Sequence, residues 1–242
     1  DTFRDIYYTD EENRWLDLVV QNIATLPDPH RRALAYYALF QACLVKRPFN
    51  LFHRKNLYLR LADVERSFGN KTTWDTPFEV HFKSFVDEVN GLVIDNGRAN
   101  RVLNEDILDV EGDYDLVYID SPYISQRGVG VDYHHFYHFL EGLAWYEEWP
   151  ELVNYRSKHR RMKRVDNPWV NQGEIYDAFA RLFDRFRDAI LVISYRADGI
   201  PSIDELEDMV RQVKQRVRIH TLDGYQYVLS TRETAEVLIV GE

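Results

Sequence analysis

Cysteine is almost absent. Cys43 stands alone among 242 residues, so no disulfide can close within the chain, and its helix-like apolar surroundings mark it as core packing in a reducing compartment. Long apolar runs are missing too: a stretch such as Ala189 to Ile193 is far too short to span a bilayer. No basic-then-apolar leader opens the chain. Together these predict a soluble, cytoplasmic protein with no membrane partner. Positive charge is in deficit, with 40 acidic against 30 basic residues and a formal net charge of -10, which excludes a generally basic nucleic-acid coat. Any nucleic-acid contact must come from local clusters. There is no internal repeat and no low-complexity tract. Nor does methionine open the chain, and a start at Asp1 suggests a processed, trimmed or split polypeptide.

What is present is a core. With 45% hydrophobic and 14% aromatic residues, the chain can build one large domain or a domain carrying a sizeable insertion. Phe3 to Tyr8 reads as a short strand. Thr9-Asp10-Glu11-Glu12 is a capping box for a helix bearing Trp15, Leu18, Val19, Ile23 and Leu26, and a second helix runs from about His30 to Leu44. Phe82, Phe85, Val86 and Val89 mark a third, closed by Gly91. From Arg101-Val102-Leu103 the pattern turns to strand, acidic loop and strand. Phe136 to Leu143 and Ile175 to Phe186 read as helices, Ala189 to Ser194 as a buried strand, and Ser202-Ile203-Asp204-Glu205 as a second capping box. Val217 to Thr221, Tyr225 to Leu229 and Ala235 to Val240 close the chain as strands. Two basic clusters stand out: Lys46 to Arg60, where cations alternate with aromatics and amides, and Arg156 to Arg164, inside a stretch with no clear period.

The most informative residues are Asp120-Ser121-Pro122-Tyr123. They follow Tyr114 to Ile119, a run rich in β-branched and aromatic residues that suits a strand buried on both faces. The tetrapeptide therefore sits at the C-terminal end of a strand, where open α/β sheets bind their ligands. An acid, a stiffening proline and an aromatic presented there suit a flat, amino-bearing ring.

Asp-Leu-Val-Tyr-Ile-Asp-Ser-Pro-Tyr resembles the catalytic motif of the DNA adenine methylase family, whose usual form is Asp-Pro-Pro-Tyr. The acidic turn Asn104-Glu105-Asp106, the strand end Ser194-Tyr195 and the closing strand Thr234 to Val240 extend the likeness over about residues 3 to 240. The resemblance implies an α/β fold, a class I S-adenosylmethionine-dependent methyltransferase-like sheet, mostly parallel and flanked by helices, with an inserted helical recognition region. Residues 1–29 and 92–242 would form the catalytic domain and residues 30–91 the insertion. It also implies an enzyme that moves a methyl group from S-adenosylmethionine to N6 of adenine in double-stranded DNA, as in restriction-modification, without a metal.

In that chemistry the amine lone pair is delocalised into the ring, and acceptors on its two hydrogens favour a more nucleophilic nitrogen. Asp120 would be one acceptor and the Ser121 carbonyl the other, with Pro122 holding the turn and Tyr123 stacking on the flipped base. Serine in place of the first proline loses a fixed φ but keeps the carbonyl. Asp10 would bind the cofactor ribose or serve as a first-turn helix charge. Asp106 would contact the cofactor's amino group or be a solvated loop acid. Tyr133 and Phe136 would line the base pocket, although Phe136 also fits a core stripe. In the first cluster Lys46, Arg47, Arg54 and Lys55 would contact phosphates, and Asn50 and Asn56 would read base edges or cap turns. In the second, Arg160, Arg161 and Lys163 belong to a mobile loop ordered by DNA or to a merely solvated one.

The sequence departs from the family in one respect. It has no glycine-rich turn of the Phe-x-Gly-x-Gly kind, which cradles the cofactor's methionine end and precedes everything seen here. A missing N-terminal segment, a second subunit supplying it, or an inactive DNA-binding subunit would each account for that. Modification of RNA or of a protein glutamine is a further rival, though those families more often have Asn in the first position of the tetrapeptide.

Overall fold

A computed structural model describes residues 2–65, 71–225 and 234–242. The chain divides into two compact units, Asp1–Ala99 with Tyr133–Arg164, and Asn100–Asp132 with Val165–Glu242. The expected boundary between residues 29 and 30 is therefore not a packing boundary. The opening segment packs with the helices that follow it.

The first unit is helical, with α1 (Asp10–Ala24), α2 (Pro29–Val45), α3 (Leu57–Leu61), α4 (Lys71–Asp75), α5 (Phe78–Leu92), α6 (Tyr133–Phe136), α7 (His138–Ala144) and α8 (Trp149–Leu152). The Thr9 side chain accepts from Glu12 N–H and Glu12 reaches back to Thr9 N–H, so the expected capping box forms. Asp28 caps α2, with Pro29 in its first turn. Phe3 to Tyr8 is not the strand its composition suggests but a series of turns. The reason is packing: Ile6, Tyr7 and Tyr8 are all buried in succession, whereas a strand would send alternate side chains outward. Phe3 stacks on Trp149 at 4.5 Å, Tyr7 meets Phe52 edge-on at 5.1 Å, and Phe52 stacks on Phe139 at 5.1 Å. Cys43 is buried in the same core, where burial pushes its thiol pKa up.

Behind the aromatics lies a charge cluster. The Glu12 carboxylate accepts from both ends of the Arg60 guanidinium, at 2.6 and 2.9 Å, and pairs with Lys46 Nζ at 3.0 Å. Lys46 also donates to the carbonyls of Trp74 and Thr76. Arg47 lies over the rings of Tyr7 and Phe52, at 4.3 and 5.0 Å, and donates to the Leu51 and Arg54 carbonyls.

The second unit contains β1 (Leu116–Ile119), β2 (Ile124–Ser125), α9 (Ile175–Arg185), β3 (Ile190–Arg196), β4 (Gly199–Ile200), α10 (Ile203–Arg211), β5 (Val217–Tyr225) and β6 (Thr234–Gly241). Arg101 to Leu103 is coil, not the expected strand, and most of Tyr225 to Leu229 lies outside the described residues. The main sheet has the order β1-β3-β6-β5. β1 and β3 are parallel, whereas β3 with β6 and β6 with β5 are antiparallel. A mixed α/β fold is thus present, but the sheet is mostly antiparallel rather than mostly parallel among the described residues. α9 and α10 cover one face, packing Phe179, Phe183, Leu206 and Val210 against Leu191, Ile193, Val237 and Ile239. On the opposite face Leu116, Tyr118 and Ile190 stand exposed. The expected burial of β1 on both faces does not hold, because the helices of its own unit, α9 and α10, pack on one side. No helix among the described residues is long and apolar enough to cross a membrane.

Burial alone would raise the Glu12 pKa, but hydrogen bonds from Arg60, its charge, the Thr9 N–H and Lys46 hold the carboxyl below its ordinary range. Replacing Glu12 by Gln leaves two buried cations without their counter-charge, and we expect a loss of about 3–5 kcal/mol in urea denaturation at neutral pH. A depressed folded-state pKa contributes stability above the unfolded value, about 4.3, that is lost as pH falls through the folded one. The gap between wild type and Glu12→Gln should therefore narrow below about pH 4. An unchanged gap would show that the pairing is not the source.

Candidate active site

The tetrapeptide leaves the sheet directly after β1. Ile119, the last residue of β1, is buried opposite Ile193 of β3. Asp120 is exposed, and Ser121, Pro122 and Tyr123 are half-buried. Beyond them the chain is held firmly: Ile124 is fully buried and pairs with Ile200 of β4, while Val131 N–H donates to the Tyr123 carbonyl at 2.9 Å. The intervening turn needs its glycines. Gly128 has φ +73, and a Cβ on Gly130 would sit 2.6 Å from the Val170 side chain.

The Tyr123 ring packs edge-on against Tyr195 of β3, centroids 5.3 Å apart. Its hydroxyl lies 3.2 Å from Asp120 Oδ1 and 3.3 Å from Glu236 Oε1. Burial, then the two carboxylates, pushes the Tyr123 pKa well up, so the phenol stays a neutral donor shared between two acceptors. Glu236, on β6, is 8% exposed and accepts from Ser194 Oγ at 2.5 Å. A buried carboxylate needs such donors. Sequence reasoning missed Glu236. The only available signal was a lone acid inside the apolar closing strand Ala235 to Val240. The Ser121 carbonyl accepts no hydrogen bond from the described residues. The arrangement thus offers an exposed carboxylate, a neighbouring carbonyl and a braced aromatic ring.

The other expected residues are dispersed. Asp106, in the second unit, is exposed, and its Oδ1 accepts from Leu108 N–H at 2.9 Å in a local turn. Asp10 is the first residue of α1 in the first unit and pairs with Arg4 at 3.4 Å. Tyr133 and Phe136 form α6, also in the first unit, where Tyr133 stacks on Tyr137 and Phe136 meets His53 edge-on. Three expected DNA contacts require correction. Lys46 and Arg47 are 1% exposed and Asn56 is 3% exposed, so none can reach a phosphate or a base. They neutralise Glu12, stack on aromatics and fill the core instead. Asn50, Arg54 and Lys55 remain on the surface. Arg160 and Arg161 are half-buried and Lys163 is exposed, in a segment that is closed rather than loose. Val153 bridges Met162, and Asn154 N–H donates to the Arg161 carbonyl at 2.8 Å. Among the described residues no group of acidic, histidine and cysteine side chains could hold a metal ion.

Comparison with known proteins bears on this motif. The chain is 25% identical over 225 residues to the type II methyltransferase M2.HphI of Haemophilus parahaemolyticus, which covers 90% of this chain and 62% of the relative. It is 32% identical over 135 residues to the modification methylase LlaI of Lactococcus lactis subsp. lactis, covering 55% of this chain and 20% of the relative. It is 26% identical over 147 residues to the type II methyltransferase M.FokI of Planomicrobium okeanokoites, covering 59% and 22%. The chain is related to modification methylases. It spans less than two thirds of the length of these methylase relatives. No family model and no solved structure matches it.

Glu236 meets the Tyr123 hydroxyl, which in turn meets Asp120. Replacing Glu236 by Ala takes away the acceptor of Ser194 Oγ and one of the two acceptors of the Tyr123 hydroxyl, and should cost about 1.5–3 kcal/mol, read as faster amide hydrogen exchange in β3 and β6. Glu236→Gln keeps an acceptor oxygen and should recover most of that loss. Equal loss in both variants would count against the hydrogen bonding and for simple volume or charge.

Proposed function

We propose that the chain carries the catalytic motif of a DNA methyltransferase that moves a methyl group from S-adenosylmethionine to the N6 amino group of adenine, as part of restriction-modification. The observation that carries this reading is the exposed Asp120 carboxylate at the end of β1, with the Tyr123 ring braced beside it. Relatives described as type II methyltransferases and modification methylases support the reaction class. The choice of adenine N6 rests on the Asp-Ser-Pro-Tyr residues.

Asp120 accepts one amine hydrogen and the Ser121 carbonyl the other. With the cofactor bound, the nitrogen lone pair would take the methyl group from its sulfonium, the neutral thioether leaving, and Asp120 would accept the surplus amine proton through its hydrogen bond. Holding the reactants in line supplies much of the acceleration. Tyr123 supports the extruded base by stacking, worth about 1–3 kcal/mol. The cofactor supplies an electrophilic methyl group on a sulfonium. Asp106 fits it in donor chemistry: Oδ1 is committed to Leu108 N–H, and Oδ2 can accept from an amino group.

A second reading, a split enzyme in which another segment or chain completes the sheet, is favoured by one observation. β1 is bonded on one side only among the described residues, and its Leu116 and Tyr118 are 53% and 58% exposed. Unpaired strand edges of this kind accept further strands.

Labelled methyl transfer from S-adenosylmethionine to DNA tests the proposal. Asp120→Ala should lower the rate by about a hundredfold or more, because a polarising contact made in the transition state is lost. Full activity in Asp120→Ala, or label found on cytosine, RNA or protein, would overturn the assignment. Activity that needs added protein would favour the split enzyme.

A further inference from the structure

The first unit carries an open cleft of about 380 Å³ assembled from three segments distant in sequence. The opening turns contribute Arg4, the segment before α3 contributes Lys55, and the closed loop contributes Arg156, Lys158 and Arg160. Asp5 is the one carboxylate in its wall among the described residues. In a chain with a formal net charge of -10, five cations around one concavity against one acid is a local reversal of sign. Arg4 leans on Asp10, but among the described residues no carboxylate forms an ion pair with Lys55, Arg156 or Lys158.

The wall is built rather than draped. Tyr7 Oη lies 2.9 Å from the His159 carbonyl and 2.7 Å from that of Phe52, tying the basic loop to the aromatic core. Val153 and Met162, both buried, close the base of the loop. Asp5 and Arg160 both adopt left-handed backbone, with φ of 57° and 56°, although neither is glycine. Such conformations persist only where the surrounding structure enforces them.

The charge count selects the ligand. A single phosphate monoester carries at most about two negative charges, fewer than the cleft offers. Successive phosphodiesters of a nucleic-acid strand, one charge each, match it. The cleft offers little base stacking, because Tyr155 is the one aromatic among its described lining residues and one face of its ring has the Arg160 guanidinium over it at 5.5 Å. Single-stranded RNA is typically held through such stacking. We propose that this cleft binds the phosphate backbone of duplex DNA, a site that positions the substrate without reading its sequence. The proposal rests on the reading that the chain acts on DNA.

The test uses the full chain and a fluorescein-labelled DNA duplex, with binding followed by anisotropy across a salt series. Arg156→Ala/Lys158→Ala should weaken binding roughly tenfold or more near 0.1 M salt, and flatten the slope of log K against log salt by about 2. Arg31→Ala/Lys83→Ala removes the same charge from exposed positions on α2 and α5 outside the cleft and should leave both quantities unchanged. Lys55→Ala alone should flatten the slope by about 1. Circular dichroism confirms that each variant is folded. Unchanged binding in the cleft variants, an equal loss in the control pair, or a loss confined to RNA overturns the site. If the cleft variants bind and methylate DNA as wild type does, the cleft fails and the methyltransferase reading stands. If wild type neither binds nor methylates DNA, with or without added protein, both fall.

Discussion

A carboxylate taken out of water must find hydrogen-bond donors, and the segment Asp120 to Tyr123 is organised around one that does. Glu236 on β6 is satisfied by Ser194 on β3 and lies beside the Tyr123 hydroxyl. Tyr123 also reaches Asp120. Three segments far apart in sequence are thus connected through polar contacts at one end of the sheet. The parallel pairing of β1 with β3 brings Asp120 out at that end, and the antiparallel pairing of β3 with β6 brings in Glu236. Without the bracing, the segment after Ile119 would be an exposed turn with an acid in it.

The first unit solves the opposite problem. Its core contains cations, and Lys46, Arg47 and Arg60 are each at most 4% exposed. They are tolerated because Glu12, backbone carbonyls and aromatic faces surround them. The alternation of cations with aromatics from Lys46 to Arg60 has two physical meanings. On a surface it suits nucleic acid, and inside a helical unit it is a way to pack guanidinium and ammonium groups against rings. Both occur within a few residues, since Lys55 lies on the surface and Lys46 does not.

The two faces of the sheet differ in what packs on them. One face is packed by α9 and α10, while the other keeps Leu116, Tyr118 and Ile190 exposed. Exposed apolar residues in a row on a sheet face are unusual unless something covers them.

Local chemistry was readable directly. Thr9 with Glu12 and Ser202 with Glu205 form capping boxes, as their spacing requires, because a cap involves only residues three apart. The helices at Ile175 and Ile203 follow from apolar periodicity, and the strand before Asp120 from its β-branched run. Long-range placement was not readable. Phe3 to Tyr8 has strand composition but is drawn into turns by an aromatic core whose other members lie more than forty residues away. Parallel or antiparallel pairing depends on which strands meet, and a strand's own residues do not encode that. The sequence by itself determined the motif, the caps and the periods of the helices, all set by near neighbours. Only the tertiary structure decided which cations are buried, that Glu236 braces Tyr123, and that Arg4, Lys55 and Arg156 share one cleft, because burial and charge pairing are set by residues distant along the chain.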